Sequence, residues 1–196
     1  MLIGIDIDDV LYQTSKMIKK LVPPLLMDMH IPYTDNPDAY WIEDMYGLTA
    51  EQFVQIEPKL DWTSVAYIDS SAVQALKKLK HTRPDAELCV VTWRKKENTL
   101  PVIQLIKQYY YLDIPNIHCI PDYSSKAEFC DNNGIGIMLD DHADVISHFT
   151  LETKCRGILV ATSEYVTHNK AFADSYHTVL RDWDDLHNLY ASIADA

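Results

Sequence analysis

The chain begins with Leu2-Ile3-Gly4-Ile5-Asp6-Ile7-Asp8-Asp9-Val10 (LIGIDIDDV, residues 2–10), in which a short apolar run meets three carboxylates. Residues 2–5 do not alternate between polar and apolar types, which predicts a strand buried on both faces of a parallel sheet. Asp6, Asp8 and Asp9 would then follow the carboxyl end of that strand. In an open parallel sheet the functional crevice lies outside this end, so these carboxylates are the first candidates for chemistry.

Apolar strands and helical patterns alternate along the rest of the chain. We predict strands at 88–92, 116–120, 135–139 and 157–161, and helices at 12–26, 71–81, 100–110 and 125–132. Pro23-Pro24 should break or bend the first helix, and Asn133-Gly134 is typical of a left-handed helix stop. The alternation predicts the α/β class, with a Rossmann-like parallel sheet covered by helices on both faces.

Turn formers and aromatic residues are concentrated between Pro32 and Asp61, with short helical patches. This composition favours a small helical cap inserted after the first strand. We therefore predict a core formed by residues 1–14 and 66–196, and a cap formed by residues 15–65. The length of 196 residues suits one domain with such an insertion.

The composition excludes several classes of protein. With 17 basic and 29 acidic residues the net charge is -12, which opposes binding to a nucleic acid polymer. The apolar runs are too short to cross a membrane, and the first residues lack the basic leader of a signal peptide, so we expect a cytoplasmic protein. The four cysteines form no CxxC pair, which favours reduced, mostly buried thiols.

Four clusters with useful chemistry occur in order along the chain. They are Asp6 with Asp8, Thr92 with Trp93, Lys126, and Asp140-Asp141. Crowded carboxylates cannot all stay ionised without compensation, and Mg²⁺ is the hard cation that prefers such oxygen ligands. Together with Lys126 and the Thr92 hydroxyl, it could neutralise the equatorial oxygens of a phosphoryl group. The set therefore predicts a site for phosphoryl transfer.

The motifs DIDDV (6–10), VVT (90–92), Lys126 and LDD (139–141) resemble, in order, those of the haloacid dehalogenase-like phosphatases over nearly the whole chain. The resemblance implies that Asp6 attacks phosphorus to form an aspartyl phosphate. It implies that Asp8 protonates the leaving oxygen and later deprotonates the hydrolytic water. It also assigns Thr92, Trp93 and Lys126 to the substrate phosphate.

The same resemblance assigns Mg²⁺ to an Asp6 carboxylate oxygen, the Asp8 backbone carbonyl and the Asp141 carboxylate. Asp140 would support the metal through water or hydrogen bonds, and which of Asp140 and Asp141 binds it directly stays open. The chain departs from the family pattern at Asp9, where glycine is frequent, and at Trp93, where a small residue is frequent.

The inserted cap, the LDDH tetrad (139–142) and the late helix RDWDDLHNLY (181–190) resemble the cytosolic 5'-nucleotidase or 5'(3')-deoxyribonucleotidase group. This implies nucleoside monophosphates as substrates. A phosphatase of sugar phosphates or other small metabolites is the alternative, since the cap sets the leaving group, and a non-catalytic binding module is a second one. Whether the protein forms a homodimer stays open.

Some residues near the motifs have commoner roles. Trp41, Tyr46 and Phe53 could stack on a nucleobase, but aromatic residues of a small cap more often fill its core. Arg94-Lys95-Lys96 could receive a phosphate, although exposure to solvent is the default for such a run. We assign no role to the histidines, including His142.

Overall fold

The computed structural model describes residues 1–163 and 178–194. In these parts of the chain the sheet has six strands: β1 (Leu2–Ile5), β2 (Glu87–Thr92), β3 (Asn116–Cys119), β4 (Ile135–Asp140), β5 (Arg156–Val160) and β6 (Val179–Leu180). All neighbouring strands are parallel, in the order β3-β2-β1-β4-β5-β6. The prediction of a Rossmann-like parallel sheet is confirmed, and its strand order reverses at β1.

The central strands are apolar because other layers cover both faces. Ile3 and Ile5 of β1 are fully buried, as are the last five residues of β2. Gly4 permits the close approach of β4, since a Cβ atom there would lie 2.8 Å from the Met138 sulfur. Only glycine fits without a shift of that side chain, so the sequence of β1 is adapted to a crowded sheet centre.

Helices follow β1 without an intervening strand. They are α1 (Thr14–Asp28), α2 (Ile42–Tyr46) and α3 (Ala50–Ile56). Of the two outcomes expected at Pro23-Pro24, the break is wrong, because both prolines lie inside α1, and the bend stays a prediction. The buried face of α1 (Met17, Ile18, Val22, Leu26) continues past them, while Pro24 is exposed, so packing outweighs the two lost backbone hydrogen bonds.

The remaining helices connect the strands of the sheet. They are α4 (Ser70–Thr82), α5 (Lys96–Tyr110), α6 (Lys126–Asn132), α7 (Ala143–Ser147) and α8 (Leu186–Ala194). Asp69 caps α4 by accepting hydrogen bonds from the backbone N–H groups of Ser71 and Ala72. Gly134 takes the left-handed conformation with a φ of 67°, as expected for the stop after α6.

One hydrophobic cluster joins the inserted helices to the sheet. It contains Ile3 and Ile5 of β1 together with Val22 of α1, Met45 of α2 and Ile56 of α3. The helical insertion therefore shares its apolar core with the sheet. The exact boundaries predicted at residues 15 and 65 stay a prediction.

The cysteines are free thiols, as expected. Cys89, Cys130 and Cys155 are buried, whereas Cys119 is exposed. Within residues 1–163 and 178–194, no helix has the length and apolar character needed to cross a membrane.

Candidate active site

The predicted residues meet where the strand order reverses. Asp6 directly follows β1, Thr92 ends the neighbouring β2, and Asp140 ends β4 on the other side. The backbone N–H of Asp6 donates to the carbonyl of Leu139 over 2.9 Å, which fixes the end of β1 against β4. Lys126 arrives from the first turn of α6. Residues far apart in sequence thus form one crevice at the carboxyl ends of three strands.

The Lys126 ammonium bridges two of the carboxylates. Its Nζ atom lies 2.7 Å from Asp6 Oδ1 and 2.6 Å from Asp140 Oδ2. All three side chains are at least nine-tenths buried. Charged groups tolerate such burial only when they are paired, so this bridge is a strong interaction and not an incidental surface contact.

The buried charges change the acidity of the partners. Burial raises the pKa of Asp6 to about 7; the Lys126 ammonium opposes this, while the carboxylates of Asp140 and Asp8 add to it. Burial lowers the pKa of Lys126, but Asp140 and Asp6 outweigh it and raise that pKa above its usual value. The carboxylates of Asp140 and Asp6 therefore favour the charged form of Lys126.

A tight loop presents the next two carboxylates. The N–H groups of Val10, Leu11 and Tyr12 all donate to the carbonyl of Ile7, which turns the chain immediately after Asp6. The Thr14 hydroxyl donates to Asp8 Oδ1. The turn and this hydrogen bond therefore fix the position of Asp8 beside the start of α1.

The backbone conformation and hydrogen bonds of Asp9 explain why the chain can have aspartate where the family pattern often has glycine. Its φ of 52° is left-handed, which glycine adopts freely and aspartate tolerates better than most residues. Its carboxylate accepts hydrogen bonds from the N–H and the hydroxyl of Ser15, in the first turn of α1. Burial nevertheless raises the pKa of Asp9 to about 7. Asp9 thus ties the loop to the helix.

Asp140 and Asp141 differ in their surroundings. The Asp140 Oδ1 atom accepts from the backbone N–H of His142 over 2.8 Å, while its Oδ2 accepts from Lys126. Asp141 is almost completely buried, and burial followed by the charge of nearby Asp9 raises its pKa well above the usual value. Asp140 is therefore engaged by protein donors through both oxygens.

The residues after β2 include a buried arginine, Arg94, that contacts Asp8. Thr92 is fully buried, and its hydroxyl oxygen accepts from the backbone N–H of Arg94 over 3.1 Å. The expectation of an exposed Arg94 is wrong: the side chain is 5% exposed and its Nη2 lies 3.2 Å from Asp8 Oδ1. Lys95 and Lys96 are exposed, as expected.

Aromatic side chains connect the helical insertion with the sheet. Tyr40 meets the His142 ring edge-on at 4.2 Å between centroids, and also contacts Trp41 at 4.8 Å. Trp41 in turn meets Trp93 at 5.6 Å. We call Tyr40, Trp41 and Trp93 the aromatic wall. Because the backbone N–H of His142 donates to Asp140, the contact of Tyr40 with His142 places the wall beside this carboxylate. Burial, followed by the charges of Asp141, Asp6 and Asp8, raises the pKa of Tyr40.

We predicted that the aromatic residues Trp41, Tyr46 and Phe53 fill the core of the cap. This is correct for two of the three. Tyr46 is buried, and the partly buried Phe53 packs against the core. Trp41 differs because it is 41% exposed, and Trp93 is 48% exposed. His142, which received no role from the sequence, supports Asp140 through its backbone and Tyr40 through its ring.

A separate cavity of about 430 Å³ lies beside this crevice. Its described lining residues come from the starts of α1 and α4 and from the chain around β6, and include Lys16, Ser71 and Arg181. None of these lining residues belongs to the predicted site. The catalytic hypothesis therefore concerns the crevice and not this cavity.

Comparisons with known proteins agree with the architecture. No family model matches the chain, and no curated protein matches it. A haloacid dehalogenase-like family hydrolase from Streptococcus pneumoniae has a similar structure, with a TM-score of 0.68 and 13% identity over 96% of this chain and 97% of that one. A HAD family hydrolase from Deinococcus radiodurans, solved with bound phosphate and sodium, has a TM-score of 0.62 and 10% identity over 98% and 96% of the two chains.

A HAD-superfamily hydrolase of subfamily IA from Geobacter sulfurreducens is also similar, with a TM-score of 0.59 and 13% identity over 96% of this chain and 98% of that one. At these identities the likeness establishes the fold. The chain has the haloacid dehalogenase-like fold, as the motifs led us to expect. None of the three descriptions names a nucleotidase.

Proposed function

We propose that this protein is a magnesium-dependent phosphomonoesterase that forms an aspartyl phosphate on Asp6, and that nucleoside monophosphates are its substrates. The observation that carries this proposal is the buried bridge of Lys126 between Asp6 and Asp140 at the point where the strand order reverses. A site with a fixed ammonium, an excess of carboxylates and a nearby hydroxyl suits a phosphoryl group together with a divalent cation.

The donor set fits Mg²⁺. We propose Asp141 as the direct ligand, while Lys126 and His142 hold Asp140 through its two oxygens. In residues 1–163 and 178–194 no three carboxylate, imidazole or thiol side chains form a ready cage for a metal. Mg²⁺ is usually held by one or two carboxylates, waters and substrate phosphate, and Asp6 and Asp141 would supply the two carboxylates.

Carboxylate oxygens of Asp6 and Asp141 and the backbone carbonyl of Asp8 would hold the ion. When bound, Mg²⁺ would neutralise the carboxylates and the phosphate oxygens as charge develops on them. Burial raises the pKa of Asp6 and of Asp141, and nearby carboxylates add to this. A divalent cation would supply positive charge there.

The residues of the chain then divide the reaction into two steps. In the first, Asp6 attacks phosphorus, the bond from phosphorus to the ester oxygen breaks, and Asp8 gives its proton to that oxygen. In the second, the Asp8 carboxylate takes a proton from a water molecule, whose oxygen attacks phosphorus and releases Asp6 and inorganic phosphate. Asp8 therefore ends the cycle protonated, as it began.

Three residues would hold the phosphate during both steps. Lys126 already lies within hydrogen-bond distance of the nucleophile, so its ammonium can also reach an oxygen of a phosphoryl group on Asp6. The Thr92 oxygen accepts from the Arg94 backbone, which leaves its hydroxyl hydrogen as a donor to the phosphate. The backbone N–H of Trp93 would add a further donor.

The aromatic wall supports a nucleotide in preference to a smaller ester. Trp41 and Trp93 are about half exposed beside the carboxylates, although large aromatic side chains are usually more deeply buried. A nucleobase stacked on them would cover this apolar surface. A sugar phosphate has no flat face to use in this way, so it is the weaker candidate.

The test is phosphate release from a panel of ribo- and deoxyribonucleoside 5'-monophosphates, sugar phosphates and p-nitrophenyl phosphate, with Mg²⁺ and with EDTA. We expect magnesium-dependent release that is fastest from nucleotides. Asp6→Asn should abolish it, because the amide keeps the shape of the side chain but cannot form the acyl phosphate. Asp113→Asn, which changes an exposed aspartate in a surface ion pair, is the matched control and should keep full activity.

Two results would overturn parts of this proposal. Release from sugar phosphates alone would keep Asp6 and Asp8 in their roles and reject the nucleotide preference. Full activity of Asp6→Asn would keep the phosphatase and reject the aspartyl phosphate on Asp6. No release from any ester would instead overturn the whole proposal and favour a binding module.

A further inference from the structure

Arg94 carries a buried charge that the reaction described above does not use. Its side chain is 5% exposed. The guanidinium carbon lies 4.8 Å from the centre of the Tyr12 ring and 5.5 Å from that of the Trp62 ring, so the group is held between two aromatic faces. Burying a charge is costly unless an opposite charge compensates it. The position of that opposite charge therefore indicates what Arg94 does.

The compensating group is Asp8. Among residues 1–163 and 178–194, it is the carboxylate within ion-pair distance of Arg94, at 3.2 Å from Nη2 to Oδ1. The geometry makes an ion pair but no hydrogen bond, since Nη1 and Nη2 are buried without a hydrogen-bond partner in the described part of the chain. The attraction therefore rests on charge.

Asp8 is held through one oxygen from two sides. Thr14 donates its hydroxyl to Oδ1, and Arg94 approaches the same atom. Both contacts are with Oδ1, and the Asp8 side chain is 29% exposed, in contrast to the buried Asp6. One oxygen is thus fixed while the carboxyl group keeps access to solvent.

We propose that Arg94 is a positioning residue for Asp8, and this inference rests on the proposed phosphatase activity. Arg94 and Thr14 anchor Oδ1, and Oδ2 is the oxygen that exchanges the proton with the substrate. When Oδ2 gives its proton to the leaving oxygen, the bond from phosphorus to that oxygen breaks and Asp8 becomes a carboxylate. Because Arg94 and Thr14 hold Oδ1 before and after this transfer, Oδ2 keeps its position relative to the leaving oxygen.

A purely structural role for Arg94 predicts different behaviour. In that case the guanidinium only fills the space between Tyr12 and Trp62, and its loss would disturb all substrates equally. A positioning role predicts that the loss of activity depends on the leaving group, because only a poor leaving group needs a proton as it departs. An alkyl oxygen of a nucleotide needs this proton, whereas p-nitrophenolate departs without it.

The experiment compares kcat/KM for a nucleoside 5'-monophosphate and for p-nitrophenyl phosphate in the full-length protein with Mg²⁺. This ratio reports only the steps up to phosphoryl transfer to Asp6, so slow hydrolysis of the aspartyl phosphate does not mask the effect. Arg94→Met keeps an apolar chain between the two rings but removes the charge. Arg94→Lys keeps the charge, and Lys95→Met is the matched control on an exposed neighbouring side chain.

For Arg94→Met we expect kcat/KM for the nucleotide to fall by about 10²-fold, the lower end of what general acid-base catalysis contributes. The value for the aryl ester should change little. Arg94→Lys should recover part of the loss, and Lys95→Met should match the wild type with both esters.

An equal loss with both esters, in a variant whose circular dichroism and melting temperature match the wild type, would overturn the positioning role. So would unchanged kcat/KM for the nucleotide. If Arg94→Met does not fold, Arg94→Lys alone decides: a larger loss with the nucleotide than with the aryl ester supports the role, and equal losses reject it. A wild type that cleaves neither ester rejects the phosphatase, which is a distinct result.

Discussion

Replacing Lys126 with methionine should destabilise the protein strongly, because it leaves buried carboxylates without their ammonium. Lys126 lies 2.7 Å from Asp6 and 2.6 Å from Asp140, with all three side chains buried. Removing one partner of a buried ion pair costs about 3–5 kcal/mol. For a chain of this size each kcal/mol shifts the melting temperature by about 2–4 °C, so we expect a fall of roughly 6–20 °C.

The assay is thermal unfolding in EDTA at mildly alkaline pH, followed by circular dichroism. Lys107→Met is the matched control, since Lys107 forms an ion pair of 3.0 Å with Asp113 in which both side chains are more than 60% exposed. Exposed pairs contribute about 1 kcal/mol or less, so the control should melt close to the wild type. Mg²⁺ should restore part of the stability of Lys126→Met, because the cation replaces the lost positive charge.

Equal melting temperatures for Lys126→Met and Lys107→Met would refute this reasoning. They would mean that the carboxylates do not depend on the ammonium for compensation. A loss that Mg²⁺ does not reduce would instead argue that Lys126 stabilises α6 by packing and not by charge.

Three further predictions concern pH, backbone conformation and the aromatic wall. Burial raises the pKa of Asp6 and of Asp9 from 3.8 to about 7, so between about pH 4 and about pH 7 the folded metal-free protein binds more protons than the unfolded chain. Its free energy of unfolding should therefore fall as pH rises through this window, by up to about 1.4 kcal/mol per pH unit for each group; a melting temperature that rises instead would contradict the shifts. Asp9→Gly should be more stable than Asp9→Ala by about 1 kcal/mol in urea unfolding, because both lose the carboxylate but only glycine accepts the left-handed backbone freely. Trp93→Ala should raise KM for a nucleotide by about 5-fold or more, as expected from the loss of about 1–3 kcal/mol of base stacking, and should leave KM for a sugar phosphate unchanged; equal changes would exclude stacking.

The sequence predicts the sheet well because its strands are buried on both faces. A strand such as β4 must be apolar along its whole length, so its limits are visible as the edges of an apolar run. The two residues of β6 are too few to form such a run, and the strand was not predicted. The prolines of α1 led to the wrong prediction of a break, because a local sequence pattern does not show how strongly the buried face of a helix packs.

The site could be predicted where the chemistry is carried by residues next to strand ends. Asp6, Thr92 and Asp140 lie close together because parallel strands bring their carboxyl ends to one edge. Arg94 could not be predicted, because it follows Trp93 in an ordinary basic run and the rings of Tyr12 and Trp62 that pack against it are distant in sequence. The contact of Tyr40 with His142 depends in the same way on the folded insertion.

The apolar cluster shared by the inserted helices and the sheet limits how the crevice can open. A rigid swing of the insertion would pull Val22, Met45 and Ile56 away from β1 and expose apolar surface at about 25 cal/mol per Å². Residues 32–38, by contrast, are all exposed and lead directly to Tyr40 and Trp41. Substrate entry is therefore expected to leave α1 in place, with slow amide hydrogen exchange there, while residues 32–38 move against α2, to which Thr34 and Asn36 donate backbone hydrogen bonds.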